Sequence, residues 1–379
     1  MDWITQAALG ALIGELMMGR RLENRALAWG ALFGILPELL EGIVSPLLDI
    51  ARELECRRAL GHSLGVMALG SWGIAQGLAK IWKREKISKA QAGVFVFAVW
   101  WVHVLVDCFS VEGAALLWPV SHNRLAFSFL YPVDFLFTAP LVVTVVWLIF
   151  LRDPPAKKSR SKKQEPPLKR RKLCFWGLGL SAGYAIFALG MKFVASAGFN
   201  ADLARRGTTF GRRMESPTPY NIVLWRSVVD RESEFWVGYR NIFESHATPV
   251  RWTVYPKGGD ALTEVAGMRE TKSLIRFTEG WWIARPNAEG GWVGDLRIQE
   301  SRKWGSKKGM VDSRLGISWI IDVSAKRDHL REITPETMNS NDSLRRMAAR
   351  AFGYRANWEA NPRLAGVQGS LPEFLPVEE

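Results

Sequence analysis

The runs PLVVTVVWLIFL (residues 140–151) and FWGLGLSAGYAIFALG (residues 175–190) enclose the basic run KKSRSKKQEPPLKRRK (residues 157–172). A helix of about 20 apolar residues crosses a bilayer, and each apolar run approaches that length with its neighbours. A basic loop between two such helices is typical of the cytoplasmic face. The basic run lacks interleaved aromatic residues, so we interpret 152–172 as a cytoplasmic loop and not as a nucleic-acid-binding tract.

Four more apolar segments precede this pair, so the sequence predicts a polytopic α-helical membrane domain with about six helices. The six segments are residues 3–19, 26–44, 61–79, 92–111, 134–151 and 173–196. The first is short and carries Glu15, so it need not cross the bilayer completely. No small-residue cleavage site follows it, which argues against a removable signal peptide.

The charge of the connecting loops predicts the orientation of these helices. The loops at 20–25, 80–91 and 152–172 have net charges of +2, +4 and +8, whereas the loops at 45–60 and 112–133 sum to zero. Lysine and arginine mark cytoplasmic loops, so the chain after about residue 197 is predicted to be extracytoplasmic. The overall net charge of +13 is therefore mainly a topology signal. We expect membrane lipids and no nucleic acid as partners, in a multi-pass protein of a bacterial cytoplasmic (inner) membrane.

The second half of the chain has the pattern of a β-rich α+β soluble domain. Short β-like runs alternate with turns containing glycine, proline and charged residues, as in SEFWVGYRNIF and GGWVGDLRIQ. We place this domain at 197–360, with a helix near 335–352 that Thr334 could cap and a loose tail at 361–379. The membrane part then comprises 1–151 and the last helix at 173–196.

Ionisable side chains within predicted membrane helices are candidates for function, because they are costly to bury in lipid. They are Glu15, Glu38, Glu41, His62, His103, Asp107 and Asp134. His103 and Asp107 are four residues apart and face one side of a helix, as Glu38 and Glu41 also can. An imidazole and a carboxylate suit zinc or another first-row metal, but the spacing alone favours a buried His–Asp hydrogen bond that locks two helices.

Two simpler interpretations concern helix packing. Glu15, on a helix with Gly10 and Gly14, can anchor one helix to another by hydrogen bonds. Glycines 10, 14, 30 and 34 lie four apart and predict close helix contacts.

Several motifs carry a resemblance to a known family. They are MDWITQAALGA (1–11), GRRLENRALAWGALFGILPEL (19–39), CRRALGHSL (56–64), HVLVD (103–107), LLWPVSHNR (116–124), VDFLFTAPLVV (133–143), SPTPYNIVLWRSVV (216–229), FWVGYRNIF (235–243) and VGDLRI (293–298). In these motifs and their order the sequence resembles the YdjM-like family of predicted membrane-bound metal-dependent hydrolases. The family is distantly similar to zinc-dependent phospholipase C, which implies a phosphoester as the substrate class.

The resemblance also implies roles for individual residues. The implied metal and polar site consists of Glu38, His62, His103, Asp107 and Asp134. Gln6 and Arg58 would support it, and Arg124 would contact an anionic group. We count Glu41 and Glu15 as further supporting residues.

This chain departs from the family pattern at two probable ligand positions. Leu40 stands where the family has the second carboxylate of a Pro-Asp-x-Asp motif, and Arg57 stands where it has a histidine. Glu41 follows Leu40 but points about 100° around the helix from it. A binuclear site is therefore disfavoured, while a single divalent metal, zinc for preference, held by Glu38, His62, His103 and Asp107 and a site without metal both remain open.

The sequence thus supports two hypotheses. In the first, the protein is a metal-dependent hydrolase acting on a phosphoester or lipid-type substrate at the outer face of the membrane, with Asp134 as base or ligand-orienting group. Glu38 would share the catalytic work and Arg124 would steady the anion. In the second, it is a catalytically degenerate membrane scaffold or regulator of the same fold.

Overall fold

The computed structural model describes residues 1–151, 168–304, 311–325, 329–333, 341–358 and 362–364. The chain divides into two compact units. The helical unit comprises Met1–Pro46, Arg57–Phe127 and Pro132–Phe187, and the sheet unit comprises Leu47–Cys56, Ser128–Tyr131 and Ala188–Glu379. Most of the predicted basic loop, Thr334 and nearly all of the predicted tail lie outside the described residues.

Eight helices occupy the described part of the first 205 residues. They are α1 (Trp3–Leu22), α2 (Asn24–Gly34), α3 (Leu36–Val44), α4 (Ile50–Cys56), α5 (Leu64–Ile81), α6 (Lys89–Asp107), α7 (Phe135–Phe150) and α8 (Leu168–Arg205). Helix α4 belongs to the sheet unit, where Leu54 joins the apolar core and Glu55 accepts a hydrogen bond from Ser273 Oγ at 2.7 Å.

Two of these helices, α6 and α8, are long and apolar enough to cross a membrane. Helices α2 and α3 would make a third span if counted together, although they meet at a bend of 43°. By length and composition, the described residues thus contain two or three candidate spans, where about six were expected. Helix α7 is apolar but has only 16 residues, and α1 and α5 fall short in apolar composition.

Local signals explain where the site-bearing helices begin. Ser88 and Gln91 form a reciprocal capping box at the start of α6. Pro37 lies in the first turn of α3, where its missing N–H has no helical partner to lose. Since both helices are formed over their site residues, Glu38 and Glu41 on α3, and His103 and Asp107 on α6, are each about one turn apart.

Helices α1 and α2 approach so closely that their backbones touch. A Cβ atom on Gly10 would lie 2.3 Å from the Gly30 carbonyl oxygen, and one on Gly14 would lie 2.4 Å from the Ala26 carbonyl oxygen. Real Cβ atoms do not approach other atoms so closely, so only glycine fits at these positions. The predicted close helix packing through the glycines is confirmed.

The core of the helical unit lies between α2, α5 and α6. Trp82 packs edge-on against Trp29, and Phe33 packs edge-on against Phe95. Within this core Trp100 donates a hydrogen bond from Nε1 to the Gly61 carbonyl oxygen at 2.7 Å. That bond fixes the turn that immediately precedes His62.

The sheet unit contains three sheets. Their strands are β1 (Arg212–Pro217), β2 (Leu224–Asp230), β3 (Glu234–Asn241), β4 (Trp252–Pro256), β5 (Trp282–Asn287), β6 (Gly290–Asp295), β7 (Ser301–Trp304), β8 (Val311–Arg314), β9 (Ile317–Asp322), β10 (Leu330–Ile333) and β11 (Pro362–Leu364), with α9 at Arg269–Phe277 and α10 at Asn341–Ala351. Two sheets have four antiparallel strands each, in the orders β1-β2-β3-β4 and β10-β9-β6-β5. The third has the order β11-β8-β7, with β11 parallel to β8. The predicted β-rich second half is confirmed.

A buried ion network ties the strands of this unit together. Glu300 accepts hydrogen bonds from Arg226 Nε at 3.1 Å, Tyr239 Oη at 2.6 Å and Arg302 Nη2 at 3.2 Å. Burial disfavours the charged carboxylate, but the two guanidinium groups outweigh burial and lower the pKa of Glu300 to about 2. Glu300 is therefore ionised in the folded protein at every pH above that value.

We expect Glu300 to make the sheet unit sensitive to acid. Since an unfolded glutamate has a pKa of about 4.3, the carboxylate contributes up to about 3 kcal/mol above that pH, and the contribution is lost as the pH falls towards 2. Wild-type protein should lose more stability between pH 6 and pH 3 than Glu300→Gln, as measured by urea unfolding of the full chain in detergent. The exposed variant Glu289→Gln should follow the wild type, and parallel curves for wild type and Glu300→Gln would contradict the prediction.

Candidate metal centre

Four side chains of metal-ligating type converge in the helical unit. Glu38 comes from α3, His62 from the turn before α5, and His103 and Asp107 from the end of α6. One ligand atom from each lies within 4.8 Å of the others. His62, His103 and Asp107 are buried, whereas the Glu38 side chain keeps 18% of its surface exposed. Glu38 is therefore the least enclosed of the four groups.

Helix α6 supplies two of the four groups through its own periodicity. His103 Nε2 lies 3.3 Å from Asp107 Oδ2, one turn further along the helix. On the other side of the ring, His103 Nδ1 lies 2.6 Å from the Gly34 carbonyl oxygen at the end of α2. A carbonyl oxygen only accepts, so Nδ1 carries the hydrogen and Nε2 faces the cluster.

The turn before α5 presents His62 in the same way. Its Nδ1 lies 3.0 Å from Glu41 Oε1, and its Nε2 lies 2.8 Å from Asp107 Oδ2. The two rings are 5.3 Å apart between centroids. Both histidines thus direct Nε2 to the same carboxylate.

The chemistry of the four groups fits a bound cation. Each imidazole uses Nδ1 as a donor, and a neutral ring then has only a lone pair at Nε2, although that atom faces a carboxylate oxygen. A metal ion among the two Nε2 atoms and the carboxylates would satisfy all of them. In a tetrahedral zinc site, neighbouring ligand atoms are about 3.3 Å apart. Here His62 Nε2 lies 2.8 Å from Asp107 Oδ2, and His103 Nε2 lies 3.2 Å from Glu38 Oε1 and 3.3 Å from Asp107 Oδ2.

Buried atoms without partners support the same conclusion. Within the described part of the chain, His103 Nε2, Glu38 Oε2 and Gln6 Oε1 are buried and make no hydrogen bond. Buried polar atoms in native proteins almost always have a partner, and a metal ion would supply one to His103 Nε2 and Glu38 Oε2. The residues Glu38, His62, His103 and Asp107 could hold a metal ion.

A second ring of groups surrounds Asp107. Gln6 Nε2 donates to Asp107 Oδ1 at 3.0 Å, and the Met1 amino group contacts the same oxygen. Arg58 Nη1 lies 3.2 Å from Asp107 Oδ2, and Arg58 Nε lies 2.6 Å from Glu112 Oε2. Gln6 and Arg58, which the family resemblance suggested as supporting residues, therefore both contact a member of the cluster.

The remaining predicted site residues lie outside the group of four. Asp134 caps α7 by accepting from the Leu136 and Phe137 amides, and it also accepts from Tyr184 Oη at 2.9 Å. Arg124 donates from Nη2 to the Arg57 carbonyl oxygen at 2.7 Å.

Glu15 is held in an ion pair elsewhere in the unit. Its two carboxylate oxygens accept from Arg170 Nε at 2.7 Å and Nη2 at 2.9 Å, which joins α1 to α8. Arg170 also donates from Nη1 to the Leu148 and Leu151 carbonyl oxygens. Sequence reasoning assigned Arg170 only to the basic loop, and nothing in the local sequence indicated that it would be buried.

The Gly34 carbonyl was also missed, because a backbone acceptor leaves no mark in the identity of a residue. In the sequence, only the glycines at 10, 14, 30 and 34, which predict a close approach of α1 and α2, pointed to this region.

Comparison with known proteins identifies one family. A family model described as YdjM inner membrane protein matches residues 1–194. Comparison with curated proteins and with solved structures gave no match. Since the matched region is more than half of the 379 residues, the chain belongs to the YdjM inner membrane protein family.

Proposed function

We propose that this YdjM-family protein is a metal-dependent hydrolase that holds one divalent ion, zinc for preference, through Glu38, His62, His103 and Asp107. The observation that carries the proposal is the convergence of these four ligand atoms within 4.8 Å, three of the residues being buried. The substrate we propose is a phosphoester or a lipid-type ester. We place the site at the outer face of the membrane and the sheet unit outside the cytoplasm, on the basis of the three basic loops.

A divalent metal in this position would polarise a phosphoryl or carbonyl oxygen and make a bound water more acidic. Glu38 is the one of the four ligands whose side chain is partly exposed, and its Oε2, which is buried, makes no hydrogen bond. We therefore assign Glu38 the role of accepting the proton of the attacking water.

Arg58 is better placed than Arg124 to contact an anionic substrate. Its Nη1 lies 3.2 Å from Asp107 but makes no hydrogen bond, whereas Arg124 reaches the Arg57 carbonyl. Asp134 remains a proposed ligand-orienting residue, although its oxygens already serve α7 and Tyr184.

A specific observation also favours the second hypothesis, a scaffold without catalysis. Leu40 packs against the core of the helical unit, so the second family carboxylate is replaced by a packing residue. This replacement removes a ligand for a second metal but leaves the group of four intact. A scaffold would use the sheet unit for binding a partner.

Metal analysis of the detergent-purified protein tests the proposal. We expect about one equivalent of metal in the wild type and less than about a tenth of an equivalent in His103→Ala. The substitution removes one ligand of a tetrahedral site, together with the contact to the Gly34 carbonyl oxygen that fixes the tautomer of that ligand. The exposed His246→Ala is the matched control and should retain the metal. Hydrolysis of a chromogenic phosphodiester and of phospholipid vesicles should follow metal content. A wild-type protein without metal would support the scaffold instead.

A further inference from the structure

Glu41 is a carboxylate beside the metal cluster that is not one of its four candidate ligands. It lies on α3 one turn after Glu38, and its side chain is 17% exposed. Within the described residues, all of the hydrogen bonds of its side chain go to the turn at 57–62. Oε1 accepts from His62 Nδ1 at 3.0 Å and from the Gly61 amide at 3.3 Å, and Oε2 accepts from the Arg58 amide at 3.0 Å.

The turn that Glu41 holds has an unusual backbone. Arg58 has a φ of +53°, in the left-handed region that residues with a side chain seldom adopt. Such a conformation persists only where the surroundings fix it. The Arg58 amide, bound to Glu41 Oε2, is one of the contacts that do so.

The contact with the imidazole decides which nitrogen of His62 faces the cluster. An ionised carboxylate only accepts hydrogen bonds, so His62 Nδ1 must carry a hydrogen. Asp107 Oδ2, 2.8 Å from Nε2, is also a carboxylate oxygen, so Nε2 has a lone pair towards the cluster only where a metal ion takes the place of a hydrogen there. With the metal bound, Glu41 keeps the one remaining hydrogen of the neutral ring on Nδ1. His103 has the same arrangement, but its acceptor is the Gly34 carbonyl oxygen.

We propose that Glu41 is a positioning residue of the metal centre, which fixes the tautomer and ring orientation of His62. Metal-bound histidines generally donate their other N–H to a carboxylate or a carbonyl group, and such partners affect metal affinity strongly. Leu40, at the family's second carboxylate position, packs into the core instead. Glu41 therefore does not replace the missing ligand, but holds one that is present. This inference rests on the proposed metal-dependent function.

Metal titration of Glu41→Gln tests the role. An amide has a single acceptor oxygen, so glutamine cannot accept at both Oε1 and Oε2, while it keeps the size of glutamate. In the full chain, purified in detergent and stripped by a chelator, we expect Co²⁺ affinity to fall about 10-fold or more and the visible Co²⁺ absorption to change. Glu112→Gln is the matched control: it removes a carboxylate that binds Arg58 and is not one of the four candidate ligands, and the Co²⁺ affinity of this variant should stay within about 3-fold of the wild type.

A double-mutant cycle separates positioning from a general structural role. If Glu41 acts through His62, Glu41→Gln should change the affinity less than about 3-fold in a His62→Ala background, because the residue that it positions is gone. An equal loss in both backgrounds, or no loss in the wild-type background, would overturn the positioning role while leaving the metal site standing. Failure of the wild-type protein to bind Co²⁺ or Zn²⁺ at all would overturn both the proposed function and this inference.

Discussion

Asp107→Asn is expected to abolish metal binding and to destabilise the helical unit by about 3–5 kcal/mol, the usual cost of removing one partner from a buried ion network. Asp107 is fully buried and is the one residue that both cluster histidines contact through Nε2. Arg58 Nη1 lies 3.2 Å from its Oδ2, and Gln6 Nε2 donates a hydrogen bond to its Oδ1. Asparagine has the same shape but no charge, so the change leaves Arg58 and the histidines without their shared anion.

The two effects of this substitution are measured separately. Metal content after purification and the midpoint of thermal unfolding in detergent should both fall. Asp49→Asn is the control, since Asp49 is 40% exposed and pairs only with arginines that are themselves exposed, Arg52 and Arg269, among the described residues. It should change stability by less than about 0.5 kcal/mol. A metal-loaded Asp107→Asn protein with wild-type stability would show that Asp107 is not the centre of the cluster.

The part of the site that lies on one helix was predictable from the sequence. The four-residue spacing of His103 and Asp107 places both on one face of α6 whatever the tertiary structure. Joining Glu38 and His62 to them required the family resemblance, because no periodicity relates α3, the turn at 57–62 and α6. The sequence therefore predicted the members of the cluster better than it predicted the contacts around them.

The contacts of Glu41 show the limit of that reasoning. A helical wheel showed that Glu41 points away from the direction of Leu40, which was correct, but it could not show what Glu41 would meet. The His62 ring comes from a turn 21 residues further along the chain. Its position depends on the Trp100 hydrogen bond to Gly61, which is a tertiary contact.

The prediction of the number of spans and of the two units was limited for a different reason. Apolar composition predicted helices in the six segments, but not the 43° bend between α2 and α3. It also could not reveal that Leu47–Cys56 would join the sheet unit, since that segment contains both apolar and charged residues. Hydropathy measures the average environment of a segment and not its packing partner.

Gly30→Val is expected to be as damaging as the loss of a ligand, although Gly30 has no polar side chain. A Cβ atom there would lie 2.2 Å from the Gly10 carbonyl oxygen, so α1 and α2 would have to separate. Overpacking of this kind costs about 3 kcal/mol, which corresponds to a fall of about 6–12 °C in Tm for a domain of this size. Gly34, whose carbonyl holds His103, and Gln6, which holds Asp107, lie on the separating helices. Metal affinity should therefore fall together with stability.

A matched control distinguishes this contact from the general effect of valine in a helix. Gly73, on α5, is exposed, and a Cβ atom added there would meet no other atom within 4 Å, so Gly73→Val should retain nearly the wild-type Tm and metal content. The measurements are thermal unfolding and Co²⁺ titration of the full chain in detergent. Equal Tm values for the two variants would mean that α1 and α2 are not in backbone contact. A Gly30→Val protein with lower Tm but unchanged Co²⁺ affinity would mean that the metal ligands do not depend on that contact.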